Sequence, residues 1–250
     1  MNTHQLPPVG IQPIVLGRQY QLAETRVLDH IAACGYASIE CSPTEPVAFR
    51  RELRDRGMVQ AGCHTTPSKL LDVRSIIEPL NLVGGRDVCN SGLYDWNRRT
   101  REDWKLLVAI LNCSGKLLRA EGIHLHYHNH DFEFTEKVDG IVAMEWLANE
   151  LDPAACDLCV DVGWVKKAGH DPAEFMLKYK ERIGYFHFKD VDDKGWTELG
   201  RGTVDFKSVM AALPEVKGAR WVMVEQDQTR NDPLDSIRWS REYLKNTFNY

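Results

Sequence analysis

No apolar run in this chain approaches the roughly 18 residues that cross a bilayer. The N-terminal stretch MNTHQLPPVGIQPIVLG lacks the basic region and long apolar segment of a secretory signal. Charge of one sign is also missing as a block. The 31 basic and 36 acidic residues are interspersed and give a formal net charge of -5, which argues against a nucleic-acid groove or an anionic-membrane surface. The seven cysteines are odd in number and scattered, as in a reduced cytoplasmic protein rather than a disulfide scaffold. Cys156 and Cys159 form a CxxC, but they sit in an apolar stretch beside Leu158 and Val160, and no second pair follows. A glycine-rich phosphate turn after an early strand is absent too. Gly84-Gly85 precedes a strand candidate and GRG at 200–202 falls late, which disfavours an open doubly wound sheet.

What is present is an alternation. Short apolar runs at Ile14–Gly17, Ala37–Cys41, Val59–His64, Arg86–Ser91, His124–His130, Leu158–Val162, Tyr185–Lys189 and Trp221–Glu225 are separated by segments of helical spacing. The helix candidates lie near 21–33, 46–56, 69–80, 100–121, 140–150, 172–181, 205–213 and 233–246, with Asp171-Pro172 and Asp232-Pro233 as start signals and Thr100 placed to cap. Strands that alternate with helices imply a parallel sheet. Eight such units in 250 residues predict an α/β fold, a (β/α)8 TIM barrel, as a single domain over 1–250.

The segment IHLHYHNHDFEF places His124, His126, His128 and His130 at every second position, so a strand there projects four of the nine histidines from one face. Imidazoles bind metals and move protons near neutral pH. In such barrels reactive groups stand at the C-terminal strand ends. Those ends carry Glu40, His64, Asn90, His128, His130, Asp161, His187, Lys189 and Glu225. Asp161, His187 and Glu225 each interrupt an apolar run, which costs stability unless the group is paired or coordinated. Taken singly, Asp161 can cap a helix, His187 can be a satisfied core histidine and Glu225 can pair with an arginine. Taken together, one shared divalent metal satisfies all three, and the absence of thiolate ligands suits Mn, Co, Fe, Zn or Mg.

The motifs YHNHDFEF, CVDVGWVKKAGHDP, YFHFKD, ELGRGTVDF and VEQD resemble the sugar phosphate isomerase/epimerase superfamily of xylose isomerase-like barrels, from about Glu40 to Asp227. That superfamily includes tagatose and psicose epimerases as well as inosose dehydratase. The resemblance implies one divalent metal, manganese first, held by a Glu, Asp, His, Glu set in which Asp161, His187 and Glu225 match the last three. The first ligand departs from the pattern, because His128 stands at the usual glutamate position. Either His128 binds the metal or Glu133 folds back from the following loop. Glu133 is preferred, since three carboxylates hold a hard cation better. The resemblance further implies proton transfer by Glu225, Glu133 or His130, a catalytic Lys189 that polarises a sugar oxygen unless it simply pairs with Asp190, and substrate contacts from Glu40, His64, His128 and Arg201. Trp164 replaces a histidine found in several members.

The expected activity is a metal-dependent sugar isomerase or epimerase acting on a sugar, keto-sugar or cyclitol through an enediolate. The alternatives are a lyase that dehydrates an inosose or cleaves a 3-keto-glycoside on the same metal, and a non-catalytic sugar-binding barrel. The expected partner is a small sugar or cyclitol, with no nucleic acid and no membrane; a homo-oligomer is compatible with the sequence.

Overall fold

A computed structural model describes residues 6–17, 19–93 and 98–250. Eight parallel strands close into a barrel: β1 Val9–Ile11, β2 Ser38–Glu40, β3 Val59–Thr65, β4 Asp87–Ser91, β5 His124–His128, β6 Cys156–Asp161, β7 Ile183–Phe188 and β8 Val222–Val224. Closure comes from β1, which pairs Val9 with Val222 on one side and Gly10 with Ser38 on the other. Helices wrap the outside, and the C-terminal helix Pro233–Phe248 packs against Thr25–Cys34. The TIM-barrel reading of the alternation therefore holds.

Seven of the eight strands lie where the apolar runs put them; the first does not. Ile14–Gly17 was expected as a strand, whereas Pro13–Leu16 is a single 3-10 turn and the strand is Val9–Ile11. Pro13 brings no N–H to a sheet, and the Gln12 side chain accepts from Ile14 N at 2.6 Å, so local capping wins over β-branched propensity. Strand five also ends early, at His128. Beyond it the chain turns into the short helix Phe132–Thr135.

The side-chain period of two sorts the barrel wall. In β7, Phe186 and Phe188 join the large apolar core between barrel and helices, while Tyr185, His187 and Lys189 take the other side. Ala61, Cys89, Cys159, Tyr185 and Met223 form a separate small apolar layer. One face of β5 supplies a column of imidazoles. His124 stacks over His126, and His126 Nε2 bonds Asp87 Oδ1 at 2.9 Å, where Arg220 Nε also donates at 2.7 Å. The lower two histidines are thus engaged in structural contacts, His126 through Nε2 alone, and burial pushes His124 down to about 4. The upper two, His128 and His130, belong to the rim.

Candidate metal centre at the strand ends

Four buried side chains converge at the C-terminal ends of β5 to β8. His128, Asp161, His187 and Glu225 each offer one ligand atom, and these atoms lie within 4.8 Å of one another. The local reasons are visible in the sequence. His128 and Asp161 end their strands, and Asp161 is opposite His187 in the β6–β7 register. Asp161 is also the N-cap of helix Val162–Lys167: its Oδ1 accepts from Trp164 N at 2.9 Å, which leaves Oδ2 for the cluster. Capping and clustering, which the sequence presents as alternatives, are carried out by different oxygens of one carboxylate. Gly163 lets this helix start so close, since a Cβ there would come within 2.8 Å of the Lys189 carbonyl. Glu225 follows β8 directly and is tied by its N–H to Phe188 O at 3.0 Å.

His128 Nε2 lies 3.4 Å from Asp161 Oδ2 and 3.8 Å from Glu225 Oε2, and His187 Nδ1 faces the same Glu225 oxygen. None of these four atoms makes a geometrically sound hydrogen bond. Buried polar atoms left in that condition are costly, and one cation between them would satisfy all four. Burial pushes His128 down to about 3, so its imidazole is neutral and competent as a ligand. Burial works against ionisation of Glu225 as well, but the Lys189 ammonium and His187 outweigh it and hold the carboxyl well below its ordinary range. Two imidazole nitrogens and two carboxylate oxygens fit a first-row divalent ion.

Glu133 does not join this group, which corrects the preferred choice of first ligand. Its Oε1 accepts from the Tyr127 hydroxyl at 2.7 Å and its Oε2 from the backbone N–H of His130 at 2.8 Å. The short helix that starts after Asp131 carries Glu133 under the strand end rather than over it. Of the two candidates the structure brings in His128.

Lys189 is fully buried beside the cluster, 3.2 Å from Asp161 Oδ2, 3.2 Å from Glu225 Oε1 and 3.1 Å from Asp227 Oδ2. Burial favours its neutral form, but these three carboxylates raise its pKa, so it is an ammonium. Asp190, the next residue in the chain, turns away. That carboxylate accepts the N–H groups of Val191, Gly200, Gly202 and Val204 at 2.9–3.1 Å. A Cβ at Gly202 would sit 2.2 Å from Asp190 Oδ1, so the GRG loop is shaped to wrap this aspartate. Arg201 between the two glycines does not reach the cluster. Its guanidinium lies over Trp239 at 4.2 Å and its Nη1 is 3.6 Å from Glu198.

His130 stands at the rim next to His128, with ring centroids 5.1 Å apart, between Phe132 at 5.5 Å and Trp164 at 5.2 Å. Trp164 and Trp196 meet edge to face, and both lie near Lys189 Nζ, at 5.4 and 4.8 Å from their centroids. Glu40 and His64 belong to the same end of the barrel and pair with each other, Oε1 to Nε2, at 2.7 Å. The residues that sequence reasoning passed over are Asp227, Asn129 and Tyr127. Asn129 accepts from Asp161 N at 3.0 Å, and its signal was its place inside HYHNH; Asp227 closes the VEQD motif.

With this geometry in hand, comparison with known proteins is decisive about family. The sequence profile of the xylose isomerase-like TIM barrel family matches residues 28–247. The chain belongs to this family. It is similar to the inosose dehydratase of Clostridium tetani, 30% identical over 170 residues, a match that spans 58% of this chain and only 55% of that enzyme. It is also similar to the inosose dehydratase of Salmonella agona, 24% identical over 264 residues covering 88% and 87% of the two chains. Among solved structures, a sugar phosphate isomerase/epimerase of Parabacteroides distasonis superposes with a TM-score of 0.79 at 20% identity over 98% of this chain and 96% of that one, which bears on the fold alone. Both of these curated relatives are enzymes. No described helix is long and apolar enough to cross a membrane.

Proposed function

We propose that this chain is a metal-dependent lyase that removes water from a keto-cyclitol of the inosose type or a related keto-sugar. The observation that carries the reading is His128 at the fifth-strand position of the cluster. Epimerisation takes a proton from one face of a carbon and returns it on the other, so it needs two opposed acid–base groups; a neutral imidazole that serves as a ligand leaves no carboxylate on that side. Elimination needs only one such group beside the leaving hydroxyl. The extent of the similarity to inosose dehydratases supports the same choice over the isomerase expected first.

A divalent ion held by His128, Asp161, His187 and Glu225 would polarise the carbonyl and the adjacent hydroxyl of the substrate. His130, half-buried at the rim, takes the proton from the carbon next to the carbonyl and hands it to the β-hydroxyl, which departs as water. Lys189, fixed as an ammonium, donates to the oxygen on which negative charge gathers. The two tryptophans wall the mouth and keep bulk water from the proton in transit. Glu133, with both oxygens engaged, takes no proton and instead holds the His130 backbone.

The test is incubation with a panel of inososes and keto-sugars in D₂O, with Mn²⁺ binding verified separately. The expected result is a product lighter by one water. Deuterium beside the carbonyl at otherwise unchanged mass would assign an isomerase. No exchange and no mass change across the panel, with metal bound, would favour the non-catalytic sugar-binding barrel.

A further inference from the structure

We propose that Glu40 and His64 form an ion-paired support that decides which ring nitrogen of His187 faces the metal, so that both are positioning residues and not contacts for substrate hydroxyls. The inference rests on the metal reading above. A histidine ligand must present an unprotonated nitrogen, and its tautomer is set by the bond its other nitrogen makes. His187 Nδ1 faces Glu225 inside the cluster, while Nε2 points the other way and lies 3.1 Å from Glu40 Oε2. A proton on Nε2, donated to Glu40, leaves the Nδ1 lone pair for the ion.

The support continues outward. Glu40 Oε1 is 2.7 Å from His64 Nε2, and His64 Nδ1 is 3.2 Å from Ser91 Oγ. A chain Ser91, His64, Glu40, His187 thus runs across the ends of β4, β3, β2 and β7. A carboxylate that reads a substrate hydroxyl needs an oxygen open to it. Glu40 is 2% exposed, and each of its oxygens faces an imidazole. Glu40, His64, Cys89 and His187 are also close enough to hold an ion of their own. That arrangement would require His187 to ligate through both nitrogens at once, whereas a single Nε2 proton satisfies Glu40 without it.

The experiment titrates the full chain with Mn²⁺, following the free-ion EPR signal, and records nitrogen and proton resonances of the histidines after loading with diamagnetic Zn²⁺. The wild type is expected to bind one ion per chain. The isosteric Glu40→Gln should weaken Mn²⁺ binding by about 10- to 100-fold, and His64→Gln should weaken it less. In the Zn²⁺-loaded wild type, His187 should show a proton on Nε2 shifted downfield by a charged acceptor, and that shift should shrink in Glu40→Gln. A purely structural role for Glu40 would lower melting temperature without moving this resonance. Unchanged Mn²⁺ affinity in Glu40→Gln, with KM raised instead, would overturn the proposal in favour of a substrate contact. A second ion per chain that Glu40→Gln abolishes would overturn it in favour of ligation. If Glu40→Gln does not fold, the wild-type resonance decides, and ligation through Nε2 refutes the proposal. A wild type that binds neither Mn²⁺ nor Zn²⁺ refutes the metal reading itself, and the support with it.

Discussion

The Tyr127 hydroxyl donates to Glu133 Oε1 at 2.7 Å, and this bond at a strand end keeps the glutamate beneath His130 and out of the cluster of His128, Asp161, His187 and Glu225. Two substitutions separate the roles. Glu133→Gln should retain bound metal, whereas His128→Gln should lose most of it, measured as metal per chain after dialysis. Glu133→Gln should still be destabilised by about 1–3 kcal/mol, because an amide cannot accept from both Tyr127 and the His130 N–H; urea unfolding reads this directly.

His130→Asn should preserve fold and metal content and lower turnover by about a hundredfold or more. The side chain is placed beside the cluster by ring contacts with His128, Phe132 and Trp164 and ligates nothing in it. Steady-state kinetics alongside metal analysis decides the matter, and unchanged turnover would move the proton transfer to Glu225.

Lys189→Met removes the one ammonium buried against Asp161, Glu225 and Asp227. Breaking a buried pair by deleting one partner costs about 3–5 kcal/mol, so the metal-free variant should unfold at markedly lower denaturant. Added Mn²⁺ should restore part of the loss by returning positive charge to the same carboxylates, while turnover stays abolished.

Stability of the metal-free protein should pass through a maximum near neutral pH. His128 is held near 3 in the fold by burial, against about 6.5 in the unfolded chain, so between those values the unfolded state binds the extra proton and stability falls as pH falls. Asp161 and Glu225 are depressed as well: burial would raise them, but Lys189 and the neighbouring imidazoles prevail, and they extend the loss at lower pH. His187 and His64 have the opposite sign. Burial would lower them, yet the anionic groups around them, Glu40 and Glu225 among them, raise both, so their contribution is present below about 6.5 and is lost as pH climbs through their folded values. Urea midpoints across pH should show both limbs, and His128→Gln should flatten only the acid one.

The barrel was legible because short, mostly apolar runs at β2 to β8 alternate with segments of helical spacing, the pattern of strands joined by helices into a parallel sheet. β1 was not, since three residues between prolines carry too little periodicity to outweigh the neighbouring PIVL. Asp161, His187 and Glu225 were legible as polar residues breaking apolar runs. Glu133 was misread because the choice between it and His128 depends on where a strand stops, and the turn that carries Glu133 beneath the strand end is pinned by its side-chain bond to Tyr127, six residues back. The place of Arg201 was not legible either: the glycines around it serve Asp190, and a cation between two such glycines points wherever the loop leaves it, here onto Trp239.

The wrapping of Asp190 by the N–H groups of Gly200, Gly202 and Val204 ties a loop some ten residues away to the residue that follows Lys189. Those amides cannot open to solvent without releasing the aspartate at the end of β7, and that release would free the backbone that aims the ammonium. Slow amide exchange at these three positions should therefore rise and fall together, as one cooperative unit. An insertion or deletion between them, harmless in most surface loops, would be felt at Lys189 and the carboxylates around it.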